Sequence, residues 1–209
     1  MAIVIDKNLS DGELVTRILS GEKHLFEWIM TKYNQRLYRI GVAILHDDAE
    51  VEEVMQSAYI KAYENMRQFE GKSSFATWLT RILINEALMT LKKRRAFESI
   101  DNIVGEPRIE SQHPMKTILN DELSIMLKNA IAQLPTKYRI VFMMREIEGM
   151  SIAETTQCLL LSEANVKVRL NRAKEMLRNQ LSHYVSPDLY DFHLDRCERI
   201  RKNVMAMIS

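Results

Sequence analysis

What most constrains this chain is one interruption. Apolar residues recur every three or four positions from about residue 10 to 95 and again from about 119 to 184, the period of helices with one buried face. Between them the pattern stops. Only six Gly and four Pro occur in 209 residues, so the long periods predict an all-α chain: two small helical domains joined by an extended linker. The linker, residues 96–118, holds Gly105, Pro107 and Pro114 and carries Glu98, Asp101, Glu106 and Glu110 against Arg108 and Lys116. Its 23 residues would reach roughly 75 Å when extended, about two turns of duplex at ~34–36 Å each.

The first domain, residues 10–95, reads as four helices. Ser10 or Asp11 caps the first, which Gly21 stops after Leu19. The second runs from about Glu22 to Leu45, and Asp48 is placed to cap a third over Ala49–Met66. That third helix has an apolar face from Val51 to Met66, and Glu53, Gln56 and Ile60 align on its outer side with Glu52 alongside. An isoleucine among acids suits a protein partner with a basic surface. A single exposed apolar residue is also commonplace.

The fourth helix follows a short loop containing Phe69, Lys72, Ser73 and Ser74, with Phe75 at its start. Ser74, Thr77, Arg81, Asn85, Leu88, Lys92 and Arg95 then form one stripe. From Arg81 to Arg95 five cations (Arg81, Lys92, Lys93, Arg94, Arg95) face a single acid, Glu86, in a chain of net charge +1. A cationic helix beside an aromatic-bearing loop fits a nucleic-acid backbone and an unstacked base. The alternative is a solvated helix whose basic end is favoured by its dipole.

In the second domain, residues 119–184, a helix to Leu134 is followed by another opened by Pro135 and ended by Gly149. Ser151-Ile152-Ala153-Glu154 is a capping-box sequence for a short helix, and Ser162 caps a long one with Val166, Leu170, Ala173, Leu177 and Leu181 inside. Two helices joined by a three- to four-residue turn read as a helix-turn-helix. Lys167, Val168, Asn171 and Arg172 should face outwards from the second. A helical hairpin with solvated charges is the alternative.

Residues 185–209 are a tail with amphipathic helical spacing. His193 and Cys197 stand at half of a zinc spacing without a second pair, so no metal and no cofactor is expected. Cys158 and Cys197 read as reduced thiols of a cytoplasmic protein. The chain shows neither a run of eighteen apolar residues nor a basic-then-apolar start, which predicts no membrane insertion and no signal peptide. The five His, at 24, 46, 113, 183 and 193, form no catalytic constellation, and no enzyme is expected.

The stretches AEVEEVMQSAYIKAYENMRQFEGKSSFATWLTRILINEALMTLKKRR and AIAQLPTKYRIVFMMREIEGMSIAETTQ, with SEANVKVRLNRAKEML after the turn, resemble the sigma-70 family of sigma factors, specifically its extracytoplasmic-function (ECF) group. The resemblance covers about residues 10–184. It implies a subunit that binds bacterial core RNA polymerase (the beta-prime coiled coil and the beta subunit) and promoter DNA, with an anti-sigma factor as a further candidate partner. The face of Glu52, Glu53, Gln56 and Ile60 would meet the beta-prime coiled coil. Phe69, Lys72, Ser73, Ser74, Phe75, Thr77, Arg81 and Asn85 would take the −10 element, with Lys92, Lys93, Arg94 and Arg95 on its phosphates. Ser162, Asn165, Lys167, Val168, Arg169, Asn171 and Arg172 would read the −35 element, and the acidic linker would run near the RNA path. Three departures stand out. Leu160 occupies a turn position that is usually Gly in the family, and leucine resists a positive φ, which predicts an altered turn. Thr155 and Thr156 replace the usual Ile and Ala, and Ala164-Asn165 replaces the usual Gly-Thr. The reading from a different class is a helix-turn-helix regulator whose N-terminal module binds a ligand or partner.

Overall fold

The computed structural model describes residues 9–101, 118–182 and 194–208, with side chains over 9–94, 124–182, 199 and 201–207. The helices are α1 (Asp11–Leu19), α2 (Phe26–Leu45), α3 (Asp48–Glu64), α4 (Phe75–Asp101), α5 (Ile118–Gln133), α6 (Thr136–Phe142), α7 (Ile152–Leu159), α8 (Glu163–Ser182) and α9 (Leu194–Ile208). No strand occurs among the described residues.

Local chemistry sets most boundaries. Ser10 and Glu13 form a reciprocal capping box that starts α1. A 3-10 turn over Lys23–Leu25 separates α1 from α2, so α2 starts later than its apolar period suggests. His46 closes α2 in the left-handed region at φ 65°. Asp47, rather than Asp48, caps α3: its Oδ1 accepts from the Glu50 amide at 2.9 Å, while Asp48 accepts from the Tyr38 hydroxyl at 2.8 Å. Ser74 Oγ accepts from the Thr77 amide at 3.1 Å and opens α4. α4 continues through Asp101 instead of ending at Arg95, because Ala96–Asp101 contain no Gly or Pro to stop it. Residues 102–117 of the expected linker, and His193 of the half zinc spacing, lie outside the described residues.

α2, α3 and α4 pack on one another, with α1 against α2. Gly41 lets α2 approach α3 closely: a Cβ there would lie 2.9 Å from Val51 Cγ1. Leu37, Ile40, Ile44, Val51, Ala58, Leu79, Leu83 and Ile84 form the centre of this core. The second domain has a much smaller core of its own, Ala130, Leu134, Ala173 and Leu177. α6 continues as a π turn over Met143–Ile147, and it packs on α2 while α7 packs on α4. Ile140, Met144, Met150 and Cys158 therefore belong to the same buried cluster as the first domain's core. Each large apolar side chain buried in this way is worth about 1.5–3 kcal/mol. The two domains dock on each other.

Candidate nucleic-acid and partner interfaces

Glu52, Glu53, Gln56 and Ile60 all lie exposed on one side of α3, and Ile60 keeps 58% of its surface in solvent. Next to them α2 contributes residues that linear spacing did not suggest. Glu27, Thr31 and Asn34 join Glu52, Met55 and Gln56 around an open groove of about 600 Å³. Tyr59 forms its floor, and its hydroxyl donates to Asn34 Oδ1 at 2.8 Å. The groove carries two carboxylates and no cation, so it continues the acidic character of the α3 face.

A second concavity, of about 380 Å³, opens between α3 and α4. Arg81 and Asn85 line it as the stripe predicted, together with Lys61, Asn65, Gln68, Trp78, Ile82 and Glu86. Trp78 lies beside the stripe on α4 and is half-buried. It packs with one face, its ring centroid 5.4 Å from Phe75 and 5.5 Å from Phe69, and still forms part of the cleft wall. Lys61 lies on α3 and reaches the cleft only through folding. Its ammonium is 2.6 Å from Glu86 Oε1, and Ser57 donates to the other oxygen at 3.0 Å. Partial burial pushes the Glu86 carboxyl pKa up, but these two bonds, with the nearby Lys93, outweigh it and the net direction is down. An aromatic face, two cations and several amides thus meet in one cleft.

The rest of the predicted −10 set divides. Phe75 is 2% exposed and edge-on to Phe69 at 5.3 Å, so it anchors the loop within the core and has no free face for a base. Thr77 is buried under α7, where its hydroxyl donates to Glu154 Oε1 at 3.3 Å and its carbonyl accepts from the Cys158 thiol at 3.4 Å. Lys72 and Ser74 are exposed, whereas Phe69 and Ser73 are half-buried. Lys92 and Lys93 are exposed. Arg94 turns back to Glu50 at 2.9 Å and to the Leu45 carbonyl at 3.3 Å, which caps the end of α2. The side chain of Arg95 lies outside the described residues.

α7 and α8 meet in a helix-turn-helix. Ser151 and Glu154 form the capping box of α7, and Ser162 Oγ accepts from the Asn165 amide at 3.3 Å. The turn is not altered by its leucine: Leu160 takes the left-handed conformation itself, at φ 52° and ψ 43°. Asn165, Lys167, Val168, Asn171 and Arg172 are exposed. Arg169 is half-buried and donates to Asn165 Oδ1 at 2.9 Å, which holds that amide in place. Lys167 and Arg172 pair with Glu163 at 3.7 Å and Glu175 at 2.9 Å. Such surface pairs are weak and can be exchanged for phosphates.

Among the described residues no helix is long and apolar enough to cross a membrane and no acidic, His and Cys cluster could hold a metal.

The family pattern described as Sigma-70 region 2 matches residues 29–97, and that of Sigma-70, region 4, matches 124–177. RNA polymerase sigma-H factor of Pseudomonas aeruginosa is 32% identical over 180 residues, which cover 82% of this chain and 93% of that protein. ECF RNA polymerase sigma factor SigW of Bacillus subtilis is 28% identical, covering 80% and 94%. The ECF RNA polymerase sigma-E factor of Escherichia coli K12 is 28% identical, covering 85% and 97%. Among solved structures, CnrH in complex with the cytosolic domain of CnrY is similar with a TM-score of 0.60 and 23% identity, covering 81% and 96%. The sigma factor RpoE in complex with the anti-sigma factor NepR, from Bartonella quintana, is similar with a TM-score of 0.62 and 22% identity, covering 75% and 96%. Both share this fold.

Proposed function

The chain belongs to the sigma-70 family of RNA polymerase sigma factors, in its extracytoplasmic-function group, and from that premise we propose how its surfaces divide the work. The chain binds core RNA polymerase and promoter DNA and directs initiation. The exposed face of Glu52, Glu53, Gln56 and Ile60, extended by Glu27 and Thr31 of α2, docks on the basic beta-prime coiled coil. Complementary charge steers the encounter and Ile60 supplies apolar contact.

The cleft between α3 and α4 takes one unstacked base of the −10 element. Trp78 offers a ring face, and a base stacked on an aromatic is worth ~1–3 kcal/mol. Arg81, Asn85, Asn65 and Gln68 offer donors and acceptors to its edge. Lys92, Lys93 and Arg95 hold backbone phosphates, while Arg94, engaged by Glu50 and the Leu45 carbonyl, fixes the end of α4 against α2. Phe69 and Phe75 brace the loop that shapes the cleft. Trapping a flipped base favours the open strands without any covalent step, so the chain needs no catalytic residue or cofactor. α8 enters the major groove of the −35 element with Asn165, Lys167, Val168, Asn171 and Arg172, while Ser162 and Arg169 position it. The chain acts where polymerase and chromosome meet, in the cytoplasm.

The observation that carries this reading is that the acidic α3 face, the aromatic-walled cationic cleft and the helix-turn-helix occur together. A plain helix-turn-helix regulator needs only the third. The test is transcription of genomic fragments by purified core polymerase with and without the chain, with the 5′ ends of the transcripts sequenced. New start sites should appear with the wild-type chain. They should be lost with Glu53→Arg/Gln56→Ala, which fails to join core, and with Arg81→Ala/Asn85→Ala, which joins core but does not open DNA. DNA binding without core binding or initiation would return the regulator reading.

A further inference from the structure

α9 lies beyond both family patterns, the second of which ends at residue 177, and none of the surfaces assigned above uses it. Leu194, Cys197, Ile200, Val204 and Ile208 recur every three or four residues, so they share one side of the helix. Four cations, Arg196, Arg199, Arg201 and Lys202, stand against two acids, Asp195 and Glu198. Val204 and Met207 keep 50% and 86% of their surface in water. Apolar side chains left in water on an amphipathic helix mark an interaction surface.

The groove between α2 and α3 has the complementary chemistry. Met30, Met55 and Tyr59 supply its apolar surface, Glu27 and Glu52 supply its charge, and no cation lines it. Unbranched methionines adapt to the apolar side of a helix, and a helix docked in a groove is read through anchors at i, i+4 and i+7. Ile200, Val204 and Met207 have that spacing. Along α2 the groove runs from Glu27 to Asn34, about 10 Å at 1.5 Å per residue, and Ile200 to Met207 is the same length of α9. Eleven residues separate Ser182 of α8 from Leu194, a reach of up to roughly 40 Å when extended. α9 has no aromatic residue to anchor it at a bilayer interface, so a protein groove is the better match.

We propose that α9 docks in the α2–α3 groove of its own chain and must be displaced before a basic partner surface can occupy that groove. The docking stands on the complementarity of the two surfaces; that the partner is core polymerase rests on the sigma-factor reading. α9 carries the same sign of charge as the surface the groove is assigned to, so the two compete for Glu27, Glu52 and Glu53. The tether keeps α9 at a high local concentration, and a weak contact is then enough to slow a partner's entry. Salt weakens the contact, because its charges meet near the protein surface.

Cys197, on the apolar side of α9, makes the contact measurable, because the other cysteine, Cys158, is buried and its thiol pKa is pushed up to about 12 by that burial. In the full-length chain carrying Thr31→Cys, oxidised glutathione should join Cys197 to the introduced thiol within one chain, the disulfide being assigned by peptide mass. Joining should be at least about tenfold faster than with Glu70→Cys, placed in the exposed loop before α4. Arg199→Glu/Lys202→Glu should slow it about fivefold. In the chain with its own cysteines only, Val204→Asp/Met207→Asp should tighten binding to core polymerase about fivefold. Joining at Thr31→Cys no faster than at Glu70→Cys would overturn the docking, and so would a disulfide found only between two chains. Slow joining together with sedimentation of the wild-type chain on vesicles of about one-third phosphatidylglycerol, lost in Val204→Asp/Met207→Asp, would assign α9 to a lipid surface instead. If joining is fast and core affinity is indifferent to Val204→Asp/Met207→Asp, the competition is wrong. If core is bound by none of these chains, the sigma-factor reading fails while the disulfide comparison still decides the docking.

Discussion

The guanidinium of Arg139 joins two domains through one carbonyl: its Nε donates to Ala43 O at 2.6 Å, on the last turn of α2. The same group donates to Ala132 O at 2.6 Å and Leu134 O at 2.8 Å where α5 ends. Two helix C-termini thus share one cation, the sign their dipoles favour. Arg139 is only 3% exposed, and burial brings its pKa down to about 10, which still leaves it charged at neutral pH.

Replacing that residue should be costly. Arg139→Ala leaves buried carbonyls without their donor, and a hydrogen bond to a charged group contributes about 1.5–3 kcal/mol. Urea denaturation should show a loss of at least about 3 kcal/mol on that basis. Arg139→Lys should recover little, because an ammonium cannot present the same fork to three carbonyls.

His46 should make stability depend on pH. Burial first, then Arg139 and Arg94, lower its pKa to about 4 from the ordinary 6.5. Between those values the unfolded chain binds more protons than the folded one, so stability rises with pH across the window. Its contribution is complete above about pH 6.5 and is lost as pH falls towards 4. His46→Asn, which tolerates the left-handed cap, should flatten the dependence of the urea midpoint between pH 6.5 and 4.5.

Leu160 carries backbone strain with no packing in return, being 72% exposed at φ 52°. The left-handed conformation costs a branched L-residue roughly 1–2 kcal/mol, and glycine gives back about 0.5–1 kcal/mol in unfolded-state entropy. Leu160→Gly should therefore raise stability by about 0.5–1 kcal/mol, seen as a higher thermal midpoint. DNA binding by α8 should be unchanged, since the turn already has the geometry glycine would adopt.

Trp78 separates a stacking role from a packing one. Trp78→Ala should weaken binding of single-stranded DNA by the polymerase holoenzyme roughly tenfold, in keeping with ~1–3 kcal/mol per stacked base. Trp78→Phe should keep most of the affinity. Equal losses in both, with an unchanged urea midpoint, would remove base stacking from the cleft.

Much of the architecture was legible from local rules. The capping box at Ser151, the turn before α8 and the apolar stripes each follow from neighbours three or four residues apart, and of the two candidate caps for α1, Ser10 and Asp11, the structure uses Ser10. The outward placement of Glu53, Gln56, Ile60, Lys167 and Asn171 follows from the same period. One cap was misplaced by a residue, because Asp47 and Asp48 are chemically equal and only the hydroxyl of Tyr38, reaching from α2, distinguishes them. At Leu160 a rule about conformational cost forecast a change of shape, whereas the surrounding helices impose the turn and the leucine bears the strain.

By itself, the sequence determined that this chain is helical, divided in two and charged in blocks, because helix period, capping and charge order are properties of short stretches of chain. Only the tertiary structure decided what each stripe faces. Thr77 and Arg81 share a stripe, yet one lies under α7 and the other opens to a cleft. Lys61 joins that cleft, and Arg139 reaches Ala43, from positions distant in the chain. Burial is a pairwise property of surfaces. A helix specifies which residues share a side, but the helix packed against it decides whether that side meets water, DNA or the rest of the chain.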